Sequence, residues 1–153
     1  MVKKRFGSEG LRRYWTELGQ RYYAPVSERW RHGGLTTVAR HWRAFFDAEP
    51  GAVVEVTEQS AEVRVEVKTC PAIKYLRDHD RKIVPCFCQH CYFVSSAIGE
   101  AAGVDVRIAG GNGSCVQRFA LSGHFAGTQR LEDISIVPEA RAPAAEQQAL
   151  PRL

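Results

Sequence analysis

Apolar residues recur along this chain at two different periods, and the period changes near residue 50. In the first third the spacing is helical. Leu11, Trp15, Leu18 and Tyr22 follow Ser8, a residue type that caps helix N-termini. Gly19 weakens this helix slightly, and Pro25 marks its end or a kink. Gly33-Gly34 is a break. Thr36 or Thr37 then caps a second helix with Val38, Trp42 and Phe45 on one side, and Asp47-Ala48-Glu49-Pro50-Gly51 stops it. After the turn the period is two. Val54 and Val56 alternate with Glu55 and Thr57, and Val63, Val65 and Val67 alternate with Arg64, Glu66 and Lys68. These are two half-buried strands around the polar turn Glu58-Gln59-Ser60. Pro71 ends the second ladder directly after Cys70.

Residues 72–79 are expected to form a short helix. Pro85 suits the first turn of a longer one, on which Phe87, Cys91, Val94, Ile98 and Ala101 make a buried stripe, with Gly103 as its stop. Val104, Val106 and Ile108 then alternate in a third strand, and Cys115, Gln117, Phe119 and Leu121 share one face of a fourth. Asn112-Gly113 between them is a two-residue hairpin signal, because both turn positions require positive φ. That turn places Cys115 opposite Gly110, with open space over the thiol. Ile134 and Ile136 suggest one more strand. The pattern predicts an α+β fold: N-terminal helices and an antiparallel β-sheet, with a cysteine-bearing helix between two hairpins. Residues 8–137 read as one domain, and the Ala-, Pro- and Gln-rich residues 138–153 as a disordered tail.

Composition narrows the function classes. The chain has 153 residues, 44% hydrophobic and 25% charged, in the ordinary globular range. It lacks the roughly 18 consecutive apolar residues of a membrane span. The start Met1-Val2-Lys3-Lys4-Arg5 is not followed by a secretory apolar core, so a cytoplasmic location is expected. The net charge of +4 owes much to Lys3, Lys4, Arg5, Arg12, Arg13, Arg40 and Arg43. These read as a solvated helix face. Without a helix-turn-helix or RNA-binding signature, a nucleic-acid partner is not expected, and a small-molecule substrate or ligand is.

The candidate chemistry lies in five cysteines: Cys70, Cys86, Cys88, Cys91 and Cys115. In a reducing compartment, such a cluster points to metal binding or catalysis rather than disulfides. As a metal centre, the five would supply more than the four soft ligands of tetrahedral zinc, or the thiolates of an iron–sulfur cluster, with His90 as a substitute. Cys88 and Cys91, three apart, share a helix face, while Cys86 and His90, four apart, share another. All three local cysteines could reach one ion only if the helix starts after Cys86. As a catalytic centre, Cys86 or Cys88 at a helix N-terminus would have a lowered pKa and act as nucleophile, with His90 as base. The plain alternative for each is a small buried hydrophobe, above all for Cys91 on the apolar stripe. Gly110-Gly111-Asn112-Gly113 reads as a turn rather than an anion cradle. Trp15, Trp30, Trp42, Tyr22 and Tyr23 read as core, His41 and His124 as structural or exposed. Ser95 and Ser96 lack a nucleophile elbow.

The stretch Val65-Glu66-Val67-Lys68-Thr69-Cys70-Pro71, then Cys88, then Gly110-Gly111-Asn112-Gly113-Ser114-Cys115-Val116-Gln117-Arg118-Phe119, resembles the L-2-amino-thiazoline-4-carboxylic acid hydrolase-like family over roughly residues 10 to 125. The resemblance implies an α+β fold and hydrolysis of a C–N or C–S bond in a small sulfur- or nitrogen-containing heterocycle or amino-acid derivative. It also implies a site lined by Cys70, Cys88 and Cys115. Where that family carries an acid three positions after the helical cysteine, this chain has Cys91, and Cys86 is additional. A thiol in place of an acid shifts the expectation toward metal binding. Residues 85 to 120 are also loosely similar to ligand-binding domains of the 4-vinyl reductase type. There the cysteines hold a structural zinc beside a ligand pocket, which implies a non-catalytic binding domain.

Overall fold

The strands form where the period of two predicts them. The computed structural model describes residues 2–138. In chain order the elements are α1 (Val2–Glu17), a π-helical turn (Leu18–Tyr22), α2 (Ala24–Asp47), β1 (Val53–Glu58), β2 (Glu62–Thr69), α3 (Pro71–Asp78), α4 (Gln89–Ala102), β3 (Val104–Gly111), β4 (Ser114–Leu121) and a 3₁₀ turn (Leu131–Asp133). The four strands make one antiparallel sheet in the order β1-β2-β4-β3. The expected α+β architecture, with a helix between two hairpins, is what is observed.

One face of the sheet carries Val63, Val65, Val67, Val104, Val106, Ile108 and Phe119, and meets Trp15, Val26, Trp30, Val38, Ala39, Val94 and Ile98 from the helices. Phe119 is fully buried against the rings of Trp30 and Trp42, with centroids at 5.7 and 5.4 Å. His41 packs on the same two tryptophans, and burial followed by the charge of Arg29 lowers its pKa. The opposite face is polar, with Lys68 paired to Glu55 at 3.0 Å and Arg64 to Glu66 at 3.6 Å. The outer edge of β3 is closed by a side chain: Gln129 accepts the Ile108 N–H at 2.8 Å and donates to the Ile108 carbonyl at 3.0 Å.

Several expectations are corrected. Tyr22 is 73% exposed, because the i→i+5 bond from Tyr23 N–H to the Leu18 carbonyl widens the turn and takes Tyr22 off the α1 stripe. The first helical stretch ends at Tyr22, just before Pro25 as expected, and Pro25 itself opens α2. The Gly33-Gly34 break is a kink inside α2, with Gly34 at φ 61°, so the preceding segment is helical too and buries Val26 and Trp30. Beyond the kink Phe46, not Phe45, stacks on Trp42, and Phe45 is 44% exposed. Ala101 is exposed, so the α4 stripe stops at Ile98. Ile134 makes a single parallel bridge to Gly110, after which Val137 N–H turns to the Pro85 carbonyl. Among the described residues no fifth strand forms, and Ile136 stays exposed. The expected disordered tail lies outside the described residues beyond Pro138. Among the described residues no helix is long and apolar enough to cross a membrane.

Gly19 sets how closely the helices approach. A Cβ there would stand 2.6 Å from the Val94 carbonyl oxygen and 2.7 Å from Ala97 Cβ, so glycine lets the π turn press onto α4. On the sheet, Glu62 is nearly buried and takes hydrogen bonds from Arg118. Those bonds, ahead of the opposing burial, hold its carboxyl below the ordinary glutamate value. A depressed folded pKa gives stability that is complete above the unfolded value of about 4.3 and lost as pH falls through the lower native value. Glu62→Gln is therefore expected to flatten the acid limb of a stability-against-pH curve below about pH 5. An unchanged limb would assign acid unfolding to other groups.

Candidate functional site

Three segments bring cysteines to the tip of the β3–β4 hairpin. The tip is the expected two-residue turn, with Asn112 at φ 57° and Gly113 at φ 121° and with Gly111 opposite Ser114. Cys115 stands opposite Gly110 on one side, as expected, and opposite Val67 on the other. Cys70 ends β2, and its N–H donates to the Gly113 carbonyl at 2.8 Å. Cys88 reaches the turn from the start of α4, where its Sγ accepts the Asn112 N–H at 3.2 Å. The start of α4 fills the space over Gly111 at this turn. A Cβ on Gly111 would lie 3.2 Å from Cys88 Sγ and 2.9 Å from the Ser135 carbonyl oxygen.

The helix starts later than Pro85 suggests. The Pro85 carbonyl accepts the Val137 N–H at 2.9 Å instead of feeding an α-helical ladder, and residues 85–88 form turns. Cys88 is the N-cap of α4, in αR geometry at φ −67°, ψ −18°, so Cys91 is the third residue of the helix. This meets the condition that the helix begin after Cys86. Cys86 lies in the preceding turn, half-buried at the core margin. His90 turns elsewhere: its ring packs edge-on to Trp15 at 5.7 Å and along Phe87 at 6.3 Å. Among the described residues it makes no hydrogen bond to a cysteine, and burial lowers its pKa. It sits as a packed ring between Trp15 and Phe87.

The thiols are free and sit at the margin of the core. A helix N-terminus was expected to lower the pKa of Cys88, but burial raises it. The Asn112 N–H opposes the rise, the charge of Cys70 adds to it, and Arg77 opposes it. Cys115 is pushed up to about 11 by burial, with Cys70 and Cys88 adding, while its contact with the Gln117 amide opposes. Cys91 is raised further still, by burial and then by Cys115, Cys70 and Cys88. The charges of Cys70 and Cys88 thus bear on both Cys91 and Cys115. Among the described residues, however, no three His, Cys, Asp or Glu side chains are placed to hold a metal ion. The donor set has the chemistry of a soft-metal site, but its arrangement forms no cage.

The cluster also includes residues that the sequence did not single out. Arg77 of α3 donates to both the Asn112 carbonyl, at 3.2 Å, and Asn112 Oδ1, at 2.5 Å, and so ties α3 to the turn. Gln117, 3% exposed, lies on β4 two residues after Cys115. Its Nε2 is 3.8 Å from Cys115 Sγ, and its Oε1 is buried without a partner among the described residues. The only sequence signal for Arg77 was a basic residue in the last turn of a predicted helix, and for Gln117 a polar residue on a buried strand face.

Geometry permits one bond within the cluster directly. Two helical residues three apart have Cα atoms about 5 Å apart, inside the roughly 4.4–6.8 Å window of a disulfide. Cys88 and Cys91 satisfy this spacing at a helix start. The fold and site thus define a class, an α+β domain with a thiol cluster at a hairpin turn. No family model matches the chain, and neither the curated proteins nor the solved structures contain a significant match.

Proposed function

We propose that this chain is a thiol–disulfide redox domain in which Cys88 and Cys91 cycle between dithiol and disulfide. The observation that carries the reading is their placement as N-cap and third residue of α4, with the Cys88 sulfur met by a backbone N–H. In the oxidising direction the Cys88 thiolate attacks one sulfur of a small disulfide, whose S–S bond breaks and releases a thiolate. The Cys91 thiolate then attacks the Cys88 sulfur and expels the second. Two electrons pass to the small disulfide, and the two protons end on its thiols. Cys88 attacks first because it is the thiol at the turn, where its sulfur meets the Asn112 N–H. A reduced form without a stabilised thiolate leaves the disulfide comparatively hard to reduce, the converse of strongly oxidising pairs.

The hydrolase reading uses the same cysteine but needs a base beside it, and the ring of His90 stands against Trp15 and Phe87. The metal reading is favoured by the convergence of Cys70, Cys88, Cys91 and Cys115 from three segments, and would require those side chains to close further. One experiment separates the three. Full-length chain, purified without chelators and reduced, is treated with hydroxyethyl disulfide and mapped by mass spectrometry, with metal content measured in parallel. The expected result is a Cys88–Cys91 link reversed by a dithiol, and formed faster as pH rises toward the ordinary thiol range near 8.5. About one zinc or iron per chain with unreactive thiols would overturn the proposal in favour of a metal centre. A mixed disulfide that Cys91 never resolves would return Cys88 to the role of lone nucleophile.

A further inference from the structure

A cleft of about 460 Å³ opens between the end of α3 and the segment that passes Pro85, and Arg77 in its wall connects it through Asn112 to Cys88. Among the described residues Arg77, Arg81 and Lys82 line it, against a single acid, Asp80. The nearby Asp78 is committed to Lys74, at 2.5 Å. Asp80 adopts a left-handed conformation, φ 49°, as α3 closes with Arg81 N–H on the Leu76 carbonyl at 2.7 Å and Asp80 N–H on the Arg77 carbonyl at 3.1 Å. This closure fixes the backbone from which Arg81 and Lys82 extend. The apolar part of the lining is Ile83 and Pro138, with Val137 buried behind them. Arg77 belongs to both places. It walls the cleft, and its guanidinium holds the same Asn112 whose N–H meets the Cys88 sulfur. Two of its five donors are used on Asn112, which leaves others for a ligand.

We propose that this cleft binds the carboxylates of an anionic low-molecular-weight disulfide, so that Arg77, Arg81 and Lys82 select the oxidant whose sulfur is delivered to Cys88. The proposal rests on the redox reading of Cys88 and Cys91 and names its substrate class. Three cations against one acid among the described lining residues favour a carboxylate ligand, and Ile83 provides surface for its carbon chain. The exchange is balanced as above: the bound disulfide gains two electrons and leaves as two carboxylate-bearing thiols, and Cys88 and Cys91 become joined.

The test compares three small disulfides on the reduced full chain at low ionic strength. They are dithiodipropionate, a dianion; hydroxyethyl disulfide, which is neutral; and cystamine, a dication. The readout is the rate of Cys88–Cys91 linkage. The expected order is dianion, neutral, dication, with about tenfold between the extremes, and the spread should shrink in roughly 1 M salt. Arg81→Glu with Lys82→Glu should reverse the order. Both side chains are exposed, and a matching circular dichroism spectrum checks the fold. Equal linkage rates for all three disulfides in the unaltered chain would overturn the cleft's role and leave the redox pair standing. No linkage with any of them would remove the redox reading and this proposal together.

Discussion

Phe119→Ala is expected to cost about 3–5 kcal/mol of folding stability, the range for removing a fully buried large aromatic. The ring has no exposed surface and is wedged between Trp30 and Trp42. Neither tryptophan can follow it inward easily, because Trp30 also packs on His41, and Trp42 on Phe46. A void therefore remains where the sheet meets α2. A loss of that size is a large fraction of the roughly 5–15 kcal/mol available to a domain. It should lower the melting temperature by roughly 10–20 °C. Phe125 is the control, since it packs under Arg107 and Arg118 on the other face of the sheet. Phe125→Ala should cost about 1 kcal/mol or less. Equal losses at the two positions, by urea titration, would mean that the aromatic layer under β4 is not the main core.

Gly111→Ala is the second large effect, and it acts on the site itself. Gly111 has φ 149°, a backbone that L side chains rarely adopt, and an added methyl would press on Cys88 Cβ at 3.1 Å, on Cys88 Sγ and on the Ser135 carbonyl. Backbone strain and overpacking together put the cost at about 2–4 kcal/mol. Relief comes most easily if the start of α4 moves off the turn, which breaks the bond from Asn112 N–H to Cys88 Sγ. The variant should thus lose stability and change the rate at which Cys88 is alkylated. A variant that melts like the parent, with an unchanged alkylation rate, would show that Cys88 does not rest on the hairpin.

The sheet was legible because its signals are local. Val63, Val65 and Val67 alternate with charges, and Asn112-Gly113 dictates its own turn, so the register that sets Cys115 against Gly110 followed from sequence. The helices were less legible because their limits are tertiary decisions. Pro85 has the right φ to start α4, yet Val137 takes its carbonyl. Tyr22 has the right spacing for a core position, yet one i→i+5 bond turns it out. For the site, the sequence grouped all five cysteines, and the charges of Cys70 and Cys88 do bear on both Cys91 and Cys115, while Cys86 stands apart in the turn before α4. It also assigned Cys88 a lowered pKa from its place on the helix. The desolvation that outweighs the helix depends on β3 and β4 packing over that end, which no local pattern encodes. Arg77 and Asn112 are 35 residues apart, and nothing in either segment announces the other.

The central pairing of the sheet bears on how the thiols come together in time. Hairpins β1–β2 and β3–β4 close over short turns, but the ladder that sets Val67 against Cys115 must first enclose the 47 residues between them, 68 to 114. Loop closure of that length is slow relative to a hairpin and is rewarded only when the whole ladder forms. On a nascent chain, Cys70, Cys88 and Cys91 leave the ribosome before the strand that gathers them. The cluster is therefore a late product of folding. Until β4 docks, only Cys88 and Cys91 are held near one another, by the turn of α4 alone, and Cys70 and Cys115 stand apart from them.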